Sequence, residues 1–130
     1  MEFKTEYTVE ELETHRRDWI AALRSGNFRQ TCYDLKNEHG YCCLGVACEI
    51  AGITPVLNTT LSGDSYYRFN DSRSSLPIEV KKYYGFNNSL GGISGDYNNT
   101  LSSLNDTDRL TFEKIADFVE ENWDKVFTND

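Results

Sequence analysis

The run Gly40-Tyr41-Cys42-Cys43-Leu44-Gly45-Val46-Ala47-Cys48-Glu49-Ile50-Ala51-Gly52 leaves this chain little choice about its centre. It holds three of the four cysteines, and apart from the thiols and Tyr41 its only ionisable side chain is Glu49. A segment apolar on nearly every side cannot lie on a water-facing surface, so it is predicted to be a short buried helix from about Cys42 to Ala51, closed by Gly52. The same placement puts Cys42 and Cys43 at a helix start, where the backbone dipole favours a thiolate.

Two amphipathic stripes supply walls for that helix. Thr8-Val9-Glu10-Glu11 is a capping box, and Val9, Leu12, Arg16, Trp19, Ile20 and Leu23 follow at helical spacing up to Gly26. Arg16 is expected to lend its aliphatic stem to the stripe and keep its charge at the edge. Thr111 caps the second, over 111–126, with Phe112, Ile115, Ala116, Val119, Trp123 and Val126 on one face. Between them the text is less regular. Residues 27–41 read as one extended segment and a turn at Asn37-Glu38-His39-Gly40, and 53–75 as irregular around one strand, Tyr66–Phe69. Pro77 and Gly85 bracket a short helix over 77–84. Residues 86–100 read as loop, and Leu101–Leu104 as a single helical turn halted at Asn105-Asp106. The expectation is α+β: one compact domain over 1–130, mostly helical, with a small antiparallel β element and the apolar helix between the two amphipathic ones.

A chain of 130 residues buries roughly two thirds of its unfolded surface, enough for a core without staples. Thirteen basic against twenty-one acidic side chains give a net charge of −8, which does not draw nucleic acid or an anionic membrane by long-range attraction. It suits a basic surface on another protein. The charged start Met1-Glu2-Phe3-Lys4-Thr5-Glu6 has no leader-like apolar run behind it, and no stretch approaches the roughly 20 apolar residues of a membrane span. The expected location is therefore a reducing cytoplasm, with free thiols.

Several constellations carry possible chemistry. Cys42 or Cys43 with His39 would serve a thiol-dependent hydrolase or transferase, although both histidines, His15 and His39, precede the cysteines. Cys32, His39, Cys42, Cys43 and Cys48 lack the Cys-x-x-Cys spacing of a zinc site, so the expectation is no metal and no cofactor. Gly91-Gly92-Ile93-Ser94-Gly95-Asp96 lacks the Lys-Ser/Thr of a phosphate loop and reads as a surface loop, with Asp96, Asn98, Asp106 and Asp108 as the set that would hold a hard cation. Arg24, Arg29 and Gln30, joined by Tyr33, Tyr41, Tyr66 and Tyr67, form the best ligand-binding candidate, suited to a small anionic or nucleotide-like molecule. Glu113, Asp117, Glu120, Glu121 and Asp124 form a carboxylate row that a nucleic-acid mimic would use.

Trp19-Ile20-Ala21-Ala22-Leu23-Arg24-Ser25-Gly26, then Gln30, then Gly40-Tyr41-Cys42-Cys43-Leu44-Gly45-Val46, resembles a family of small uncharacterised proteins found mainly in bacteriophages and bacteria. Leu76-Pro77 with the Tyr84-Gly85 helix end, and Leu104-Asn105-Asp106 followed by Phe112-Glu113-Lys114-Ile115-Ala116-Asp117, resemble it as well. The likeness spans most of the chain outside 53–75. It carries over no catalytic residue. What it implies is a phage or prophage accessory protein in the host cytoplasm, of the kind that acts on host machinery, including defence systems. The combined expectation is a non-enzymatic protein that binds either a small signalling nucleotide, through Arg24, Arg29, Gln30 and Tyr41, or a host protein, through its acidic face, with the thiol enzyme and the acidic mimic as alternatives.

Overall fold

The computed structural model describes residues 3–128 and has the architecture expected of an α+β chain. Helix α1, Val9–Arg24, starts where the capping box requires: the Glu11 amide donates to Thr8 Oγ1 at 3.1 Å and the Thr8 amide donates back to Glu11 Oε1 at 2.9 Å. The buried helix α2, Cys43–Ile50, follows a hairpin of β1, Lys36–Asn37, and β2, Gly40–Tyr41. Strands β3, Val56–Thr59, and β4, Ser65–Arg68, come next, then α3, Ile78–Tyr84, closed by a left-handed Gly85. A second hairpin, β5 (Gly92–Ile93) and β6 (Asp96–Thr100), leads into α4, Leu101–Asp106, and the chain ends on α5, Phe112–Glu121, and α6, Trp123–Val126.

The first four strands make one antiparallel sheet in the order β2-β1-β4-β3. Its β2 edge is covered by the preceding segment, since the Tyr41 amide donates to Arg29 O at 2.8 Å and the Thr31 amide to Tyr41 O at 2.7 Å. Strand β3 is the open edge. It pairs with β4 from Val56↔Arg68 to Thr59↔Ser65 and has no neighbour on its other side among the described residues.

Leu44, Val46, Ala47 and Cys48 of α2 are fully buried, as a helix apolar all round must be. The approach is so close at Gly45 that a Cβ there would sit 1.7 Å from the Leu35 carbonyl oxygen. Trp19 anchors α1 to this helix by donating its indole N–H to Cys43 O at 2.9 Å, and Tyr84 anchors α3 by donating to Ala47 O at 2.7 Å. Both aromatic rings are buried, and both polar ends are satisfied.

Several expectations need correction. Helix accounts for 40% and strand for 19%, so the fold is not mostly helical. The irregular stretch holds two strands, because Tyr66 and Tyr67 pair with Asn58 and Leu57. Residues 92–100 form a hairpin in place of the expected loop. Its strands are poor in β-formers, and Asn87 ties it down by donating to Gly92 O at 2.9 Å and Lys125 O at 2.7 Å. The last helix breaks at Asn122, whose side-chain amide donates back to Phe118 O at 2.9 Å and competes with the helical ladder. Asn105 and Asp106 belong to α4 and do not stop it. The buried helix does not lie between the amphipathic pair; α1 is the helix that packs against both α2 and α5. Finally, Arg16 is buried to 2% exposure, with Nε donating to Tyr84 O at 2.6 Å and the guanidinium 4.3 Å from the Phe127 ring centroid. Burial lowers its pKa to about 10.

Candidate functional site

The thiols at the start of α2 are packing groups. Cys42 caps the helix as its sulfur accepts from the Gly45 amide at 3.4 Å, and Cys43 donates its S–H to Leu101 O at 3.6 Å. Desolvation pushes Cys42 up to about 12 and holds Cys43 and Cys48 well above the ordinary thiol range. The helix dipole is therefore outweighed by burial. His39 stands with its side chain 73% exposed, 3.5 Å from Glu38, and no hydrogen bond joins it to either thiol. The arrangement expected for a Cys42 or Cys43 nucleophile with a His39 base is not formed. Among the described residues, no group of three or more His, Cys, Asp or Glu side chains converges to hold a metal ion.

The same helix start is the hub of a buried polar bracket. Asn105, on α4 and fully buried, accepts at Oδ1 from Gln30 Nε2 at 2.8 Å and from the Cys43 amide at 3.2 Å. Its Nδ2 donates to Thr31 O at 2.9 Å and to Asp106 Oδ1 at 2.8 Å. Gln30 Nε2 also donates to Leu110 O at 2.8 Å, so both its protons are used inside the protein. Asp106 accepts the Tyr33 amide at 3.0 Å. That bond holds Tyr33 at φ 75°, a left-handed conformation that a bulky residue adopts only when its surroundings impose it, with the residue 63% exposed.

Beside Tyr33, Asp34 takes Arg73 Nε at 2.9 Å and thereby lays the Arg73 guanidinium 3.7 Å from the centroid of Tyr66. Arg68 reaches the Tyr66 hydroxyl at 3.3 Å. On neighbouring strands Lys36 lies 4.9 Å from the Tyr41 ring and 4.4 Å from the Tyr67 ring, while Tyr41 donates to Glu49 Oε1 at 2.7 Å. Burial first, and then Glu49, raises the Tyr41 phenol. The sheet thus gathers Tyr41, Tyr66 and Tyr67 with three cations in an acidic protein. At its open edge, Val56 is 64%, Leu57 55% and Leu61 111% exposed. Residues 53–63 carry no charge at all, in a chain where 26% of residues are charged.

The four expected ligand-binding residues are not brought together as one set. Arg29 is exposed beside Tyr41, and Gln30 is committed to the bracket. Arg24 reaches across to α5, where it donates to Glu113 Oε1 at 2.8 Å, pairs with Asp117 at 2.9 Å and also holds Glu120. Glu120 and Asp117, followed by Glu113, raise the guanidinium still further. Three carboxylates of the expected five-membered acidic row are therefore bound to one arginine. Asn105 escapes a reading of the residues as a site component, whereas Asp106, expected in a cation set, and Tyr33, expected beside a ligand, serve the bracket instead. The one signal is the Leu104-Asn105-Asp106 segment, already among those carrying the family resemblance.

The chain belongs to the family described as a domain of unknown function, DUF8296, matched over residues 13–123, a span that includes the whole bracket and the sheet. No curated protein and no solved structure matches it.

Proposed function

We propose that this chain is a non-enzymatic binding protein, an accessory protein of phage or prophage origin, that captures a host protein and so blunts a host response. The phage context rests on the sequence resemblance. The binding surface rests on one structural observation: β3 is an unpaired sheet edge bearing exposed Val56 and Leu57, without the charges that soluble proteins place on such edges. Antiparallel pairing alternates, and Thr60 donates inward to Asp64 O at 2.8 Å, so the backbone groups of Leu57 and Thr59 point outward. An extended, apolar strand of a partner completes that ladder, with its alternate side chains beside exposed Val56 and Leu57.

A small signalling nucleotide is the weaker ligand. Gln30 and Arg24 have their donors engaged internally, and Glu49 beside Tyr41 opposes a phosphate. The test is quantitative capture from host cells with three baits. Wild type and Arg24→Ala retain the same stoichiometric partner, whereas Leu57→Lys weakens it by about ten- to a hundred-fold. Equal capture by Leu57→Lys refutes the edge. A dimer of the pure protein that Leu57→Lys converts to monomer assigns the edge to a second copy instead and refutes the host partner.

A further inference from the structure

The β5–β6 hairpin carries a cleft of about 420 Å³ that takes no part in the surface described above. Its polar lining is almost wholly amide and hydroxyl: Asn87, Asn88, Asn99, Ser94 and Thr100, with Asp96 as the single charge. Half of each asparagine amide is spent on holding the loop. Asn87 Nδ2 donates to Gly92 O and Lys125 O, Asn88 Oδ1 accepts from the Leu90 and Gly92 amides at 3.0 and 2.9 Å, and Asn99 Nδ2 donates to Asp96 Oδ2 at 3.0 Å. The other half of each is left over: Asn87 Oδ1, Asn88 Nδ2 and Asn99 Oδ1 have no hydrogen-bond partner among the described residues. These are an acceptor, a donor and an acceptor, all on side chains already fixed at their opposite end. Gly92 makes room for this, since a Cβ there would lie 2.3 Å from Asn88 Nδ2. At the rim stands Tyr97, fully exposed, with neither its ring nor its hydroxyl engaged among the described residues.

We propose that this cleft binds a neutral polyhydroxylated ligand, a hexopyranose or a short glycan. Each sugar hydroxyl both donates and accepts, which matches mixed amide donors and acceptors beside a carboxylate. The apolar face of a pyranose ring stacks on an exposed tyrosine, a contact that covers the Tyr97 ring. The absence of any Lys, Arg or His from the lining, together with the Asp96 carboxylate, disfavours phosphorylated ligands such as nucleotides. Asp96 is kept ionised by Asn99 and the Asn98 amide, which hold its pKa below the usual carboxylate range.

The experiment is saturation-transfer NMR on the full chain with the methyl glycosides of glucose, galactose, mannose and N-acetylglucosamine, and with AMP as the phosphorylated comparison. At least one glycoside is expected to receive saturation with a Kd of ~1–10 mM, as suits an open site and a single sugar ring. Tyr97→Ala and, separately, Asn88→Ala should weaken that signal at least about five-fold. The exposed Tyr97 leaves the fold untouched when truncated, which an unchanged melting temperature verifies. Silence of all four glycosides to ~50 mM overturns the proposal. So does a signal that survives Tyr97→Ala, or AMP binding while the sugars stay silent.

Discussion

Replacing Asn105 by Asp turns the central bracket into a measurable pH dependence. The change keeps the Oδ1 acceptor for Gln30 Nε2 and the Cys43 amide, but replaces a donor by an oxygen facing two acceptors, Thr31 O and Asp106 Oδ1. Ionised, the new carboxylate is fully buried beside a second carboxylate; protonated, it can still donate to Thr31 O. Its folded pKa must therefore lie above the unfolded value of ~3.9, since burial and a like charge both oppose ionisation. A raised pKa on an acid means the variant is least impaired below ~4 and loses stability as pH rises toward the folded value. Every tenfold weakening of the acid on folding is worth ~1.4 kcal/mol, so a hundred-fold weakening makes the deficit relative to wild type grow by ~2–3 kcal/mol between about pH 4 and pH 7. Near pH 4 the deficit should be ~1 kcal/mol, one lost hydrogen bond. Asn105→Ala, which orphans the buried Cys43 amide and Thr31 carbonyl, should cost ~3–5 kcal/mol at every pH. Urea denaturation of the three proteins at pH 4, 5, 6 and 7 reads these differences directly. A pH-independent deficit for Asn105→Asp would mean that Asn105 is reached by solvent and that the bracket does not organise this region.

Tyr33→Gly should be more stable than Tyr33→Ala by ~1 kcal/mol, a gap of about 3–4 °C in Tm, because only glycine relaxes at φ 75°; at an ordinary position the order reverses. Cys42, Cys43 and Cys48 should resist iodoacetamide at pH 8 in the native protein and react at once in urea, and rapid native alkylation of Cys42 would restore the thiolate reading. Arg24→Ala should cost ~1 kcal/mol or less at low ionic strength and still less at 1 M salt, because its carboxylate partners are exposed; a salt-independent loss in a denaturation series would show a brace of another kind.

What could be read from the residues was what depends on short range. Thr8 and Glu11 announce α1 because both halves of a capping box lie within one turn, and the stripes of α1 and α5 announce their buried faces by periodicity. The run at 43–50 announces its own burial because nothing along it tolerates water. What escaped was set by partners far along the chain. The bonds of Asn105 to Gln30, Thr31 and Cys43 cross separations of 75, 74 and 62 residues, and no local pattern marks an asparagine for such a role. Tyr33 sits at positive φ through Asp106, not through any turn residue of its own. The tyrosine and arginine candidates were half legible: Tyr41, Tyr66 and Tyr67 do share a sheet, yet Arg24 finds its acids 89 and 96 residues away and Arg73 takes the place beside Tyr66. Strand β6 escaped because Asp96-Tyr97-Asn98-Asn99-Thr100 has turn composition and is held in a hairpin by side chains outside it.

Binding at the sheet edge is tested most directly by hydrogen exchange on the captured complex, compared with the free protein. If a partner strand completes the sheet, the outward amides of Leu57 and Thr59 become protected on binding, while those of α5 across Glu113–Glu121 exchange as before. Protection confined to α5 or to 24–30, with β3 unchanged, would contradict the account and move the interface to the acidic face.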